Sequence, residues 1–282
     1  MATEYFILTA ILSLFVACAP AYAQQQNVEN PSVANKYVQP VPVDVVAPPI
    51  RSLELSAGAE HLSAGYGNWL DTTLRGIYGI GPNVIQAELS SKREFGQFGN
   101  FVGIGDTYTI NQDWYVSAAV GFGDGAFYLP RERLDVFINR KWLPKRNLVS
   151  SIGVGYYNAP DGHIDRSLSL GAAYYFDQPW IIQAGVRFNH SDPGNIPTHQ
   201  QFVAVTYGRD KKNLVTARYS WGGEGYQAIS QTATLVNFQS KEITLEWRHW
   251  FSKKSGFLVS VDHYQNPIYG RNGAYVGLFH QF

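Results

Sequence analysis

Cysteine is almost missing from this chain. Cys18 is the only one in 282 residues, so an intrachain disulfide and a multi-Cys zinc site are both excluded. Net charge is missing too: 22 Lys and Arg balance 22 Asp and Glu, which removes the electrostatic case for a nucleic-acid partner. Beyond the N-terminal stretch no apolar run reaches eighteen residues, so helical membrane spans are excluded as well. Neither G-x-S-x-G nor H-E-x-x-H occurs, and with them go the two commonest local signatures of hydrolytic chemistry. His61, His163, His190, His199, His249, His263 and His280 are scattered. The adjacent Asp262 and His263 would point to opposite faces of a strand and cannot readily pair. The expectation is no catalytic residue, no cofactor and no metal.

Aromatic residues, by contrast, are plentiful at 15% of the chain. Three regions follow. Residues 1–23 read as a signal peptide: Phe6 to Ala19 is almost wholly apolar and "AYA" at 21–23 supplies small residues at a peptidase site. The n-region departs from the usual pattern in having Glu4 and no Lys or Arg. Lipidation of Cys18 in "FVAC" competes with plain cleavage, with Phe15 a poor fit to the aliphatic residue such a site prefers. Residues 24–50 carry Pro at 31, 40, 42, 48 and 49, a composition that sustains neither ladder nor helix and reads as an extended linker. Its "VQPVPVDVVAPP" is a candidate docking strand for a periplasmic or secretion partner, or a plain spacer.

From 51 to 282 the pattern changes again. Segments of roughly ten residues, rich in Tyr, Phe, Val and Ile, alternate in polarity between turn-forming stretches. They predict an all-β, antiparallel transmembrane barrel of about fourteen strands (about 12–16). Predicted strands include Leu214–Trp221, Lys241–Phe251 and Gly273–Phe282, with 222–240 as a long loop. Turns such as "PKRN" (144–147), "GRDKKN" (208–213) and "SKKSG" (252–256) are short, while the intervening connections are mostly longer, the layout of short periplasmic turns and longer outer loops. In "SKEITLEWRHWF", Ile243, Leu245, Trp247 and Phe251 share one face, while Glu242, Thr244, Glu246 and Arg248 share the other.

Those polar faces make the expected lumen lining: Arg75, Glu88, Lys92, Arg187, Arg218, Glu242, Glu246 and Arg248, joined by Glu54, Glu60, Asp71, Arg133, Asp135, Lys141 and Asp262. Both signs are well represented, whereas a strongly ion-selective pore would be dominated by one. Arg187 and Arg218 are expected near Glu246. A barrel of this size lies between side-chain-filled small ones and wide porins. The function expected is therefore a narrow channel or export-associated pore in the outer membrane. A plugged structural or adhesive barrel, and a barrel enzyme acting on lipid or a surface substrate, stand as the alternatives.

Two resemblances add to this. "NGAYVGLFHQF" (272–282) is similar to the C-terminal signal that outer-membrane barrels present to their assembly machinery, with Gly277 and Phe282 at matching places and Val276 and His280 departing from the pattern. "LELSAGAEHLSAGYGNWLDTTLRGIYG", Leu53 to Gly79, resembles the opening of the YaiO-type outer-membrane β-barrel family. The likeness lies in a glycine-rich first strand, a "GYGNW" hairpin tip and a polar second strand containing Arg, and it extends to Phe282. It implies an outer-membrane location with lipid and the barrel-assembly machinery as partners. Similar barrels close exopolysaccharide secretion proteins that carry helical repeats ahead of the barrel, so a role in polysaccharide passage is implied by analogy.

Overall fold

The computed structural model describes residues 51–282. The segments read as signal peptide and Pro-rich linker lie outside the described residues. Fourteen strands run in chain order: β1 (Arg51–Leu62), β2 (Gly67–Ile80), β3 (Asn83–Glu94), β4 (Gln97–Thr109), β5 (Trp114–Gly123), β6 (Glu132–Trp142), β7 (Leu148–Asn158), β8 (Ile164–Tyr175), β9 (Trp180–Asp192), β10 (Ile196–Arg209), β11 (Asn213–Ala228), β12 (Thr234–Trp250), β13 (Ser255–Gln265) and β14 (Gly270–Gln281). Each pairs antiparallel with its neighbours in sequence, and β14 returns to pair with β1, closing the barrel. The seam is continuous from Ser52↔Gln281 through Ser56↔Gly277 to Leu62↔Arg271, and the Phe282 N–H donates to the Arg51 carbonyl at 2.9 Å. Closure leaves no strand edge whose N–H and C=O groups would face lipid unpaired.

Alternation decides which solvent this barrel was built for. Val276 and Leu278 on the outer face of β14 are 60% and 64% exposed, while Arg271 on its inner face is at 0%. A soluble sandwich would have these reversed. Burying such an exposed Leu or Val in an apolar medium is worth roughly 1.5–3 kcal/mol, and the outer surface carries them on every strand, as at Leu55, Leu74, Leu89, Ile104, Ile152, Leu168, Ile182 and Ile243. Aromatic residues bracket the band. Tyr78, Trp142, Tyr207 and Trp247 stand at the rim shared by both ends of the described chain, and Phe98, Phe122, Phe188 and Trp221 stand toward the other rim. Arg51 and Arg140 lay their guanidinium groups over Tyr78 and Trp142 at 4.7 and 3.7 Å, covering apolar rings while the charge reaches toward water.

The stretch 222–240 corrects the sequence reading. It is a strand hairpin rather than a loop, with β11 continuing to Ala228 and β12 beginning at Thr234. Gly222, with φ +140°, bends the strand where a side chain would meet the His199 carbonyl, and the ladder runs on through Gly222↔Ser240 to Glu224↔Phe238 and, past a break at Gly225 and Asn237, from Tyr226↔Val236 to Ala228↔Thr234. Strand extensions of this kind absorb much of what reads as loop on that rim.

On the inner wall, aromatic rings lie against glycine on the neighbouring strand. Phe137 covers Gly153, Phe202 covers Gly185, and Tyr275 covers Gly58 across the seam. A Cβ at any of these glycines would overlap the ring, so glycine lets bulky residues lie flat on the wall rather than project into the lumen. Gly153→Val is therefore expected to lift Phe137 and cost about 1–3 kcal/mol by overpacking. A urea midpoint in lipid vesicles equal to that of the unsubstituted protein would show that the ring is not held there.

Candidate functional site: the charged inner wall

Inward side chains on fourteen strands can meet only along the wall or across the lumen, and here they form two unlike halves. The half centred on the seam runs from β12 through β14 and β1 to β3. It carries Glu54, Glu60, Asp71, Glu88, Glu94, Glu242, Glu246 and Asp262 against Arg75, Lys92, Arg248 and Arg271. Acids outnumber bases two to one there.

Register sets the pairs. Arg75 faces Glu88 directly across β2 and β3 and bonds it. Lys92 faces Asp71 two inward steps further along, past Thr73↔Ser90, at 3.3 Å. Arg248 reaches past two strands from β12 to Glu54 on β1, at 2.5 Å, with its guanidinium 4.0 Å over the Phe279 ring between them. Glu246 stands apart: its Oε2 is buried without a hydrogen-bond partner, and the cation whose charge acts on it is Arg75, on β2.

Arg271 is the hub. Fully buried, it lies 3.1 Å from Glu242, 3.6 Å from Glu60 and 4.0 Å from Asp262. The rings of Tyr264 and Trp69 sit 4.9 and 5.4 Å from its guanidinium carbon. Tyr275 donates to Glu60 at 2.5 Å, and Tyr264 donates to Glu224 at 3.2 Å.

The opposite half, β5 to β10, has few acids. Arg133 bonds Asp135 at 2.6 Å, Arg187 donates to Ser167 at 2.6 Å, and Lys141 points at the Tyr115 ring. Asp165 accepts from Asn189 and Ser191. Arg218, on β11, lies 4.6 Å over Phe202. Arg218 does stand beside Glu246, on the adjacent strand and one inward step away in register (Arg218↔Thr244, Thr216↔Glu246), whereas Arg187 on β9 is three strands away. Arg75 also acts on Glu246, from four strands away around the wall through the seam.

Four inward charges escaped the sequence reading: Glu94, Asp165, Glu224 and Arg271. The strands predicted as Leu214–Trp221 and Gly273–Phe282 stop short of Glu224 and Arg271, which lie within β11 and β14. Continuing the period of two backward from Phe279 through Tyr275 and Gly273 reaches Arg271, and continuing it forward from Ser220 and Gly222 reaches Glu224. That signal was present. Three of the four are acids, and they tip a nearly even balance toward negative.

At the rim away from the chain ends, the His163 ring stacks between Tyr157 and Tyr226, with centroids 5.9 and 5.0 Å away, and its Nδ1 lies 2.5 Å from Asp161. Burial alone would raise the Asp161 carboxyl, but the hydrogen bond and charge of His163 outweigh it and hold that group below the usual carboxylate range. Burial pushes the Tyr269 hydroxyl well up. Outer-face histidines have local roles. His61, His249 and His263 bond Asn68, Asn213 and Asn272, and His280 bonds Ser255, each at 2.8 Å across one ladder step. His263 and Asp262 do point to opposite faces. Among the described residues, no group of three or more His, Cys, Asp or Glu is placed to hold a metal ion.

With this geometry in view, the family is decided by a match between residues 50–227 and the model of the YaiO membrane beta barrel domain. The chain belongs to that family. The match ends within β11, short of the final three strands. No curated protein matches in sequence. Among solved structures, the P. putida toluene transporter TodX is similar at a TM-score of 0.55 and 12% identity, over 84% of this chain and 91% of that one. A bacterial polysaccharide outer membrane secretin is similar at 0.54 and 8%, over 83% and 98%. At such identities the likeness is one of fold: this is an outer-membrane β-barrel of the architecture found in channels.

Proposed function

We propose that the protein is a passive, narrow outer-membrane channel for hydrophilic solutes, with a preference for cations, and not an enzyme. One observation carries this: the inner wall is divided, its seam half acid-rich and its opposite half richer in bases, along a fourteen-stranded barrel, a size between the side-chain-filled small barrels and the wide porins. A transverse field of this kind orients a polar solute and favours the sign opposite to the net wall charge. Passage of a cationic or amine-bearing polysaccharide would suit the same wall, and with the family setting it keeps an export-associated role in view. In the proposed topology, the rim with both chain ends faces the periplasm after cleavage behind Ala23. The Pro-rich segment then lies where a periplasmic or secretion partner would meet it.

A second reading is favoured by a specific observation: Arg271 and its partners are so tightly packed that these pairs serve barrel stability with the lumen closed. Planar-bilayer recording of the full chain separates the two. Discrete steps with a reversal potential on the cation side are expected; a silent bilayer containing correctly folded barrel would overturn the channel.

Assembly gives a further expected outcome. The ring of Phe282 is largely exposed and its ring neighbour is His280, 4.8 Å away. Phe282→Ser should therefore leave the ladder of the refolded barrel intact, costing at most the lipid contact of one ring, about 1.5–3 kcal/mol, yet lower insertion in cells through the assembly machinery. Normal outer-membrane levels of the variant would remove Phe282 from that role.

A further inference from the structure

Positive charge is distributed unevenly around the terminal rim. The turn between β6 and β7 carries Lys145 and Arg146, but Asp177 and Asp113 neutralise them at 2.8 and 2.7 Å. The adjoining turns β10–β11 and β12–β13 carry Arg209, Lys211, Lys212, Lys253 and Lys254, all exposed, against Asp210. Lys211 reaches Gln281. The two turns are held together by the Trp250 backbone N–H donating to the Lys212 carbonyl at 2.9 Å, and the Gln281 backbone N–H donates to the Lys254 carbonyl at 2.7 Å, so the bases form one patch on fixed backbone.

Depth identifies the occupant. Tyr207, Trp247 and Phe251 project outward at the ends of the same strands, and outer-face aromatics mark the boundary between hydrocarbon and headgroups. Arg209 follows Tyr207 by two residues, and Lys253 follows Phe251 by two. Their ammonium and guanidinium groups thus stand at the level of lipid phosphates, beside a surface that lipid already covers. We propose that this quarter of the rim is a binding surface for an anionic glycerophospholipid, with Lys212, Lys253 and Lys254 as the phosphate-binding cations. A zwitterionic ethanolamine lipid brings its own ammonium to the patch and gains less from it. Basic side chains near a lipid surface each contribute on the order of one power of ten or slightly less.

The inference rests on the outer-membrane topology above and is independent of conduction, so a silent bilayer and a failed lipid test have different meanings. The experiment is native mass spectrometry of the full chain released from vesicles of equal phosphatidylglycerol and phosphatidylethanolamine. The unsubstituted protein should retain phosphatidylglycerol. Lys212→Gln/Lys253→Gln/Lys254→Gln should lower that preference by about a hundredfold, the corresponding Glu variant should lower it further, and Lys145→Ala should behave as the unsubstituted protein. Equal retention of both lipids, or an undiminished preference in the triple variant, would overturn the proposal. So would Lys-dependent binding of soluble polyglutamate without any lipid preference, which would assign the patch to an acidic protein.

Discussion

Arg271→Met should destabilise the barrel by roughly 3–5 kcal/mol, the cost of removing one partner from a buried ionic group. Glu60, Glu242 and Asp262 all lie within 4.0 Å of this one guanidinium. Without it, three carboxylates share a site that offers hydroxyl donors and aromatic rings in place of a cation. Methionine roughly fills the space, so the loss reports charge and hydrogen bonding rather than a cavity. Arg271→Lys should fall between, because a single ammonium cannot serve carboxylates on three strands at once as a planar fork does. Adding Glu60→Gln to Arg271→Met should recover part of the loss by thinning the uncompensated charge. Urea midpoints in vesicles test all three variants. A loss below about 1 kcal/mol for Arg271→Met would mean that water screens the cluster, and that the lumen is open at this level.

The architecture was legible because a membrane barrel writes itself in a period of two. Strand after strand alternates an aliphatic or aromatic residue with a polar one, and the count of fourteen follows from the turns between them. What alternation could not settle was whether lipid or a protein core covers the aliphatic face. The exposure of Val276 and Leu278 beside a buried Arg271 settles it.

Strand ends were less legible, for a physical reason. Glycine at 222 and 223, like the "GRNG" of 270–273, is ordinary turn chemistry when read alone. In the barrel these glycines give close packing instead: a Cβ on Gly273 would overlap the Asp262 carboxylate. Local propensity signalled a turn and the closed ladder overrode it. That override hid Arg271 and Glu224, and the cluster around Arg271 could not be seen without them. Pairing across several strands was the least legible feature. Arg248 and Glu54 are 194 positions apart, and only the curvature of a closed wall brings them together.

Glu246 is expected to behave in the opposite way to Arg271. Its Oε2 is buried with no hydrogen-bond partner, its register neighbours are Thr216 and Ser260, and Arg75 is already bonded to Glu88. A carboxylate held so is a net cost to the fold, since leaving a buried polar group unsatisfied costs about 1–3 kcal/mol and a charge more. Glu246→Gln keeps the shape and removes the charge, so stability should hold or rise by about 1 kcal/mol. Glu88→Gln, by contrast, breaks the Arg75 pair and should lose stability. If ions pass this wall, removing a negative charge from its acid-rich half should also move the reversal potential in a KCl gradient toward the anion side. Unfolding midpoint and reversal potential, measured on one preparation, then separate two properties that the Arg271 variant changes together. A stability loss comparable to that of Arg271→Met would show that Glu246 balances a cation after all. An unmoved reversal potential in a conducting barrel would show that the ion path does not run past β12.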